Sequence, residues 1–264
     1  MTYLLILLAV SLAVSAVGWK YFIYFFSVGY GYGISALAVT IAILFHANLS
    51  LPTILLLILL FIFGLRLGTY LLIRERKAAE YRKILYAPLN QKQKPLGVII
   101  TVWLFCALLY VTQVSPVAFR LANGPHASEL WAWIGAAVTL CGILLEAVSD
   151  AQKAAAKKVN PKRFVDTGLY RIVRCPNYLG ELVIWTGVLL SAIGAHLSWW
   201  QWIVAGIGYI GIVFVMFSGA RRLELRQNEA YGNDPEYQSY IKKTPILIPF
   251  LPIYSVARYE WLKA

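Results

Sequence analysis

The chain has 264 residues, of which 60% are hydrophobic and 14% are charged, and its mean hydropathy is +0.67. Soluble domains have about 45–50% apolar and about 25% charged residues. This composition therefore excludes an ordinary soluble domain and a disordered chain. The three cysteines lack paired motif spacing, which argues against a disulfide framework or a zinc site.

Apolar stretches long enough to cross a bilayer follow one another along the chain. A span needs about 20 mostly apolar residues, and seven stretches qualify or nearly do so, at roughly 2–18, 22–45, 50–73, 96–119, 129–148, 178–197 and 200–220. The first lacks the basic start of a secretory signal, so we retain it as a helix. The sequence predicts an all-α, polytopic integral membrane protein with seven transmembrane helices in one domain, 1–264.

The basic residues give the expected orientation. Lys and Arg number 24 against 12 Asp and Glu, and 22 of the 24 lie at Lys20, in 74–95, in 149–177 or after 220. With seven spans these segments share one side, which the positive-inside rule makes cytoplasmic. We expect an outside N-terminus, a cytoplasmic C-terminus, contact with anionic membrane lipids and no nucleic acid or obligate protein partner.

Polar residues at helical spacing mark the third and fifth spans. Arg66, Tyr70 and Arg74 are four residues apart and so share a helix face, which predicts a polar cavity open to the cytoplasm. Glu146 and Asp150 also share a face, and their mutual repulsion needs an offset such as a pair of ribose hydroxyls. The alternative is a structural bridge between Arg66 and Glu146.

An anion site is predicted where the sixth span begins. Pro176 interrupts the chain, Asn177 suits a helix N-cap, and Arg174 lies beside it. A helix N-terminus next to arginine binds phosphate groups well, and pyrophosphate is the natural occupant. Asn177, Glu181 and Trp185 then form a second polar stripe; the alternative is a capped helix with a basic collar.

The second span contains alternating glycines and tyrosines. Gly29 and Gly33 are spaced for close helix packing. Tyr30 and Tyr32 lie about 200° apart on a helix, so only one of them would face a cavity. A buried tyrosine hydroxyl there could polarise a carbonyl group.

Several long motifs resemble one family. Glu146-Ala-Val-Ser-Asp150-Ala-Gln, the run 164–185, Ser218-Gly219 followed by Glu224, and the run 231–250 are similar to signatures of the steroid 5-alpha-reductase superfamily in its bacterial DUF1295 branch. The stripe from Arg66 to Arg74 resembles its third-span motif. The resemblance is strong over 129–252 and weaker over 20–85.

The resemblance implies a seven-helix membrane enzyme that uses NADPH to reduce a carbon–carbon double bond conjugated to a ketone, as in 3-oxo-Δ4 steroids. It implies that residues 1–75 face the hydrophobic substrate and 76–264 bind NADPH. Carried onto this sequence, the cofactor-binding residues are Arg66, Tyr70, Arg74, Glu146, Asp150, Lys157, Tyr170, Arg174, Asn177, Tyr178, Glu181, Trp185, Glu224 and Tyr237. Glu181 and Arg66 are also catalytic candidates.

The carbonyl-polarising acid cannot be carried over, because the second span has no carboxylate and residue 63 is Phe. Tyr32, then Tyr30, are the candidates for that role. Two other functions stay open: a membrane methyltransferase that uses S-adenosylmethionine, similar to the isoprenylcysteine group, and a non-catalytic lipid-binding protein. The style of the motifs favours a bacterial inner membrane over an endoplasmic reticulum.

Overall fold

A computed structural model describes residues 2–77, 94–124 and 128–262 of the chain. Within these ranges the α-helices are α1 Thr2–Ser15, α2 Val28–Leu44, α3 Leu51–Lys77, α4 Leu96–Ala122, α5 Glu129–Val159, α6 Pro176–Leu190, α7 Trp199–Tyr231 and α8 Pro235–Lys243. The same ranges contain short 3-10 turns and no strand. The predicted all-α class is confirmed.

Six helical stretches in the described residues are long and apolar enough to cross a membrane. They coincide with six of the predicted spans and confirm a multi-pass membrane protein. The remaining predicted span, 178–197, is the 15-residue helix α6, which ends at Leu190 in a turn. Because this is shorter than the roughly 20 residues that a span needs, the count of seven stays a prediction, as does the orientation of the termini.

The chain divides into two compact units. The first unit comprises Met1–Ala136 and Val188–Tyr209, and the second comprises Ala137–Gly187 and Ile210–Ala264. The predicted division into a substrate side, 1–75, and a cofactor side, 76–264, stays a prediction.

Glycines bring α2 and α3 of the first unit into close contact. A Cβ atom on Gly31 would lie 2.5 Å from the nitrogen of Gly68 and 2.8 Å from the carbonyl oxygen of Gly64. The predicted pair does not make this contact: Gly29 faces Ser15, and Gly33 faces the ring of Tyr110. Helical spacing predicted close packing at Gly29 and Gly33 without naming a partner helix, and the contact with α3 is made by Gly31, which lies between them.

Glycines also set the crossing of α5 and α6 in the second unit. A Cβ atom on Gly142 would lie 2.5 Å from the nitrogen of Ile184, and one on Gly180 would lie 2.7 Å from the nitrogen of Glu146. Side chains larger than hydrogen would force the helices apart. The two glycines therefore allow α5 and α6 to cross closely, and this crossing brings the segment around Glu146 next to the segment around Glu181.

Candidate functional site

The start of α6 carries the predicted anion site of the second unit. The helix begins at Pro176, so Asn177 is its second residue and not the N-cap that the sequence predicted. Proline occupies the first helical position readily because its missing N–H would have no helical partner. Helix geometry leaves the N–H group of Asn177 without an intrahelical acceptor, and Asn177 and Tyr178 are both half-buried.

Two predicted carboxylates are buried where α5 and α6 cross. Glu146 is 3% exposed and Glu181 is 6% exposed, and the backbone of Glu146 lies against Gly180. Asp150, one turn along α5, is half-buried. The structure thus brings the two predicted polar stripes onto adjoining helices of one unit. Trp185, one turn after Glu181, is 2% exposed and completes the second stripe.

Arg174 and Glu224 form a buried ion pair. Nη2 of Arg174 lies 2.9 Å from Oε1 of Glu224, and the two side chains are 1% and 2% exposed. The same nitrogen donates to the carbonyl oxygen of Tyr254, and Oε2 of Glu224 accepts from the N–H of Val256 at 2.8 Å. The pair therefore fastens the C-terminal segment 245–257 to α7 and to the start of α6.

Backbone hydrogen bonds add to this attachment. The N–H groups of Arg174 and Cys175 donate to the carbonyl oxygens of Pro245 and Ile246 at 2.9 and 3.0 Å. Nε of Arg221 donates to the carbonyl oxygen of Ala257 at 3.1 Å. Burial raises the pKa of the Cys175 thiol to about 12, so this thiol is inert near neutral pH.

Arg174 and Lys157, both predicted to contact phosphate groups, differ in the partners that the fold gives them. Nε and Nη1 of Arg174 are buried and have no hydrogen-bond partner among the described residues. Nζ of Lys157 bonds the carbonyl oxygens of Pro161 and Arg163 at 3.0 and 2.6 Å and the hydroxyl of Tyr231 at 3.2 Å. Because an ammonium has three donors, a phosphate contact from Lys157 stays a prediction that requires giving up one of these bonds.

Tyr237 and Tyr240 of α8 form an aromatic cluster with Phe164, and the carbonyl oxygen of Tyr170 accepts from the hydroxyl of Tyr240 at 2.7 Å. The hydroxyl of Tyr170 donates to the carbonyl oxygen of Ser149 at 3.3 Å, and that of Tyr237 donates to Asn228 at 2.7 Å. The ring of Phe164 packs against Tyr237 and stacks on Tyr240. Burial raises the pKa of Tyr237 to about 12 and also raises the pKa of Tyr240. Tyr237 is fully buried within this cluster, and its predicted contact with the cofactor stays a prediction.

The remaining predicted residues lie in the first unit. On α3, the guanidinium of Arg74 lies 5.7 Å from the ring centre of Tyr70, and Arg66 is half-buried. On α2, the hydroxyl of Tyr32 is 3.1 Å from Oγ1 of Thr69. The ring of Tyr30, 7% exposed, contacts residues on two other helices, Phe63 at 6.4 Å and Tyr110 at 5.2 Å between ring centres.

Sequence reasoning missed two buried polar residues of the first unit. Glu75 is 1% exposed and accepts a hydrogen bond from the hydroxyl of Ser27 at 3.2 Å. Its position beside Arg74 suggested the exposed end of a span. Gln113 is 3% exposed in the middle of α4. A search of the spans for ionisable groups alone passes over a neutral amide.

The fold and these residues define a polytopic helical membrane protein with buried acidic and basic side chains. The family described as "Protein of unknown function (DUF1295)" matches residues 24–244, and the chain belongs to this family. Steroid 5-alpha-reductase DET2 of Arabidopsis thaliana is 33% identical over 85 residues, which are 30% of this chain and 29% of the plant protein. The resemblance to the steroid 5-alpha-reductase superfamily is confirmed. No solved structure matches the chain.

Proposed function

We propose that the chain is a membrane-embedded, NADPH-dependent reductase of a carbon–carbon double bond conjugated to a ketone. The proposed substrates are 3-oxo-Δ4 steroids, and the products are 5α-steroids. The similarity to a steroid 5-alpha-reductase supports the reaction class. The observation that carries the proposal is a pair of buried carboxylates at the α5–α6 crossing. Glu181 lies in the second turn of α6, and Glu146 of α5 packs against the neighbouring Gly180.

The residues of the second unit fit a dinucleotide by their chemistry. The two buried nitrogens of Arg174 that lack a described partner can donate to phosphate oxygens. Asn177 and the first N–H groups of α6 add donors for the same anion. Glu146 and Asp150 can accept from ribose hydroxyls, and Tyr178, Glu181 and Trp185 would lie by the nicotinamide.

When bound, NADPH would supply a hydride for the β-carbon of the enone. Negative charge then develops on the carbonyl oxygen of the substrate. A hydroxyl donor, Tyr32 or Tyr30, would stabilise that charge. A proton from water or a side chain would then be added to the α-carbon and complete the reduction. The contributions of Arg66, Tyr70 and Arg74 to cofactor binding remain part of the proposal, as do those of Lys157, Tyr170, Glu224 and Tyr237.

The proposal further places the chain in a bacterial inner membrane with a cytoplasmic C-terminus. An apolar substrate would reach it from the lipid phase, and no protein partner is required.

Ligand-dependent stabilisation tests the cofactor directly. The purified protein is heated with NADPH, NADH or S-adenosylmethionine, and its melting temperature is measured. A ligand that binds only the folded form at 100 times its Kd stabilises by about 2.7 kcal/mol. We expect stabilisation by NADPH. Stabilisation by S-adenosylmethionine alone would replace the reductase with a methyltransferase, and no response to any ligand would favour a lipid-binding protein.

Substitution of Glu181 tests the site. Glu181→Ala should lower enone-dependent NADPH oxidation while the yield of folded protein is kept. Glu229→Ala, which removes an exposed carboxylate of α7, is the matched control and should keep wild-type turnover. Unchanged turnover in Glu181→Ala would remove this residue from the site.

A further inference from the structure

Gln113 is a buried amide of the membrane-spanning helix α4 with no hydrogen-bond partner among the described residues. It is 3% exposed, and neither Oε1 nor Nε2 has a hydrogen-bond partner within the described parts of the chain. A buried polar group left unsatisfied costs about 1–3 kcal/mol, and the hydrocarbon around a span offers no water to replace the partner. Such a residue in a span is a functional candidate by default.

The local backbone does not supply the missing partner. Pro116 lacks an N–H and so cannot bond the carbonyl oxygen of Thr112, four residues earlier. That carbonyl oxygen already accepts from the hydroxyl of Ser115 at 2.8 Å. The backbone of α4 at Thr112 and Gln113 is also packed against Gly208, where a Cβ atom would lie 2.8 Å from the nitrogen of Gln113.

Gln113 lies one turn from the tyrosine cluster of the first unit. Tyr110 precedes it by three residues and therefore lies on the same side of α4. The ring of Tyr110 is 5.2 Å from the ring of Tyr30, and its hydroxyl donates to the carbonyl oxygen of Phe25. From 113 to 121 every residue of α4 is buried. The amide therefore lies in the interior of the unit, one helical turn from Tyr110, whose ring contacts the candidate carbonyl-polarising Tyr30.

Gln201 shows what a structural amide looks like in the same unit. It is 5% exposed, and its Oε1 accepts from the backbone N–H of Ser198 at 2.8 Å and from Asn123 at 3.2 Å. Its Nε2 donates to Oδ1 of Asn123 at 3.1 Å. Gln113 is buried to the same degree and lacks every one of these bonds, so burial alone does not account for it.

We propose that the side-chain amide of Gln113 donates a hydrogen bond to the carbonyl oxygen of the enone substrate. The inference rests on the proposed reductase function and adds a residue to it. An amide is neutral, so it enters the membrane at less cost than a carboxylate, and Gln side chains are effective donors to a developing oxyanion. An enone steroid offers one conjugated carbonyl oxygen on a mostly apolar frame, which suits a single amide in apolar surroundings.

The test compares Gln113→Leu with Gln201→Leu in the full chain reconstituted in lipid nanodiscs. The probe is androst-4-ene-3,17-dione with NADPH. Gln113→Leu should lower kcat about 10²- to 10³-fold, as the loss of one oxyanion donor does. Its melting temperature should stay level or rise, because an apolar replacement removes the unsatisfied amide. Stabilisation by NADPH without the steroid should be unchanged.

Gln201→Leu should behave in the opposite way, with a lower melting temperature and wild-type kcat in the protein that remains folded. If Gln113→Leu does not assemble, Gln113→Met keeps the side-chain length without the amide and takes its place. If the wild type is active and Gln113→Leu keeps its turnover, the role of Gln113 is overturned and the proposed reductase function stands. A melting temperature that falls as in Gln201→Leu overturns it in favour of a structural role. Wild-type protein without steroid-dependent NADPH oxidation overturns the proposed function, and this inference with it.

Discussion

Removing one partner of the Arg174–Glu224 ion pair should release the C-terminal segment 245–257. Glu224 is 2% exposed, so Glu224→Ala leaves the guanidinium of Arg174 buried without its counter-charge. Breaking a buried pair in this way costs about 3–5 kcal/mol. At about 1.4 kcal/mol per factor of ten, the opening equilibrium of the segment should rise by roughly two to three and a half orders of magnitude.

Amide hydrogen exchange measures this opening directly. The N–H of Val256 loses its acceptor outright in Glu224→Ala, and it should exchange faster by the factor above. Glu229→Ala removes an exposed carboxylate from the same helix and serves as the control. The double variant Arg174→Glu/Glu224→Arg keeps both charges and should recover part of the protection. Exchange in Glu224→Ala within threefold of the wild type would refute the conclusion that the pair fastens the segment.

Three further expectations follow from the second unit. Gly180→Ala should lower the free energy of unfolding by about 1–3 kcal/mol and weaken NADPH binding, because its Cβ atom would meet Glu146. The control Gly206→Ala, whose Cβ atom would have no described atom within 4 Å, should not destabilise the protein. Equal melting temperatures for the two variants would contradict the packing argument. Above pH 10 the unfolded state loses the Tyr237 proton before the folded state does, so the free energy of unfolding should fall between pH 10 and about 12. Tyr237→Phe should reduce that fall. The same loss of stability with pH in wild type and Tyr237→Phe would contradict this prediction. In a variant without the other two cysteines, alkylation of Cys175 at pH 8 should be negligible. It should become faster when Glu224→Ala is added and the segment 245–257 opens. Ready alkylation without Glu224→Ala would contradict the burial of this thiol.

Hydropathy was sufficient to predict six of the spans, and the different form of the remaining stretch has a physical reason. A long apolar helix leaves a strong signal because the bilayer requires about 20 such residues. The stretch 178–197 carries the same signal but contains Gly194, which adopts φ +71° after α6 has ended. Composition does not distinguish a continuous helix from a short helix followed by an apolar turn. The N-cap at Asn177 failed for a related reason, because Pro176 is itself a favoured first helical residue.

The candidate site was predictable as residue types and less so as contacts. The i, i+4 stripes correctly placed Glu146 and Glu181 in the interior of the protein. Arg174 and Glu224 were both predicted to bind the cofactor, which stays a prediction, and their mutual ion pair at 2.9 Å was not foreseen. Fifty residues separate them along the chain, and only the folded path of α7 and the tail brings them together. Sequence spacing carries information about one helix face and none about which opposing charge will meet it.

The free-energy cost of burying a polar side chain is therefore a weaker guide to function than the absence of a hydrogen-bond partner within the described fold. The chain satisfies the ammonium of Lys157, a predicted phosphate ligand, with two backbone carbonyl oxygens and a hydroxyl. The described chain leaves both amide atoms of Gln113 unsatisfied. A partner supplied from within the fold accounts for the first residue without any ligand. For Gln113 the described residues supply no such partner, and the proposed apolar ketone substrate would bring one oxygen into the membrane.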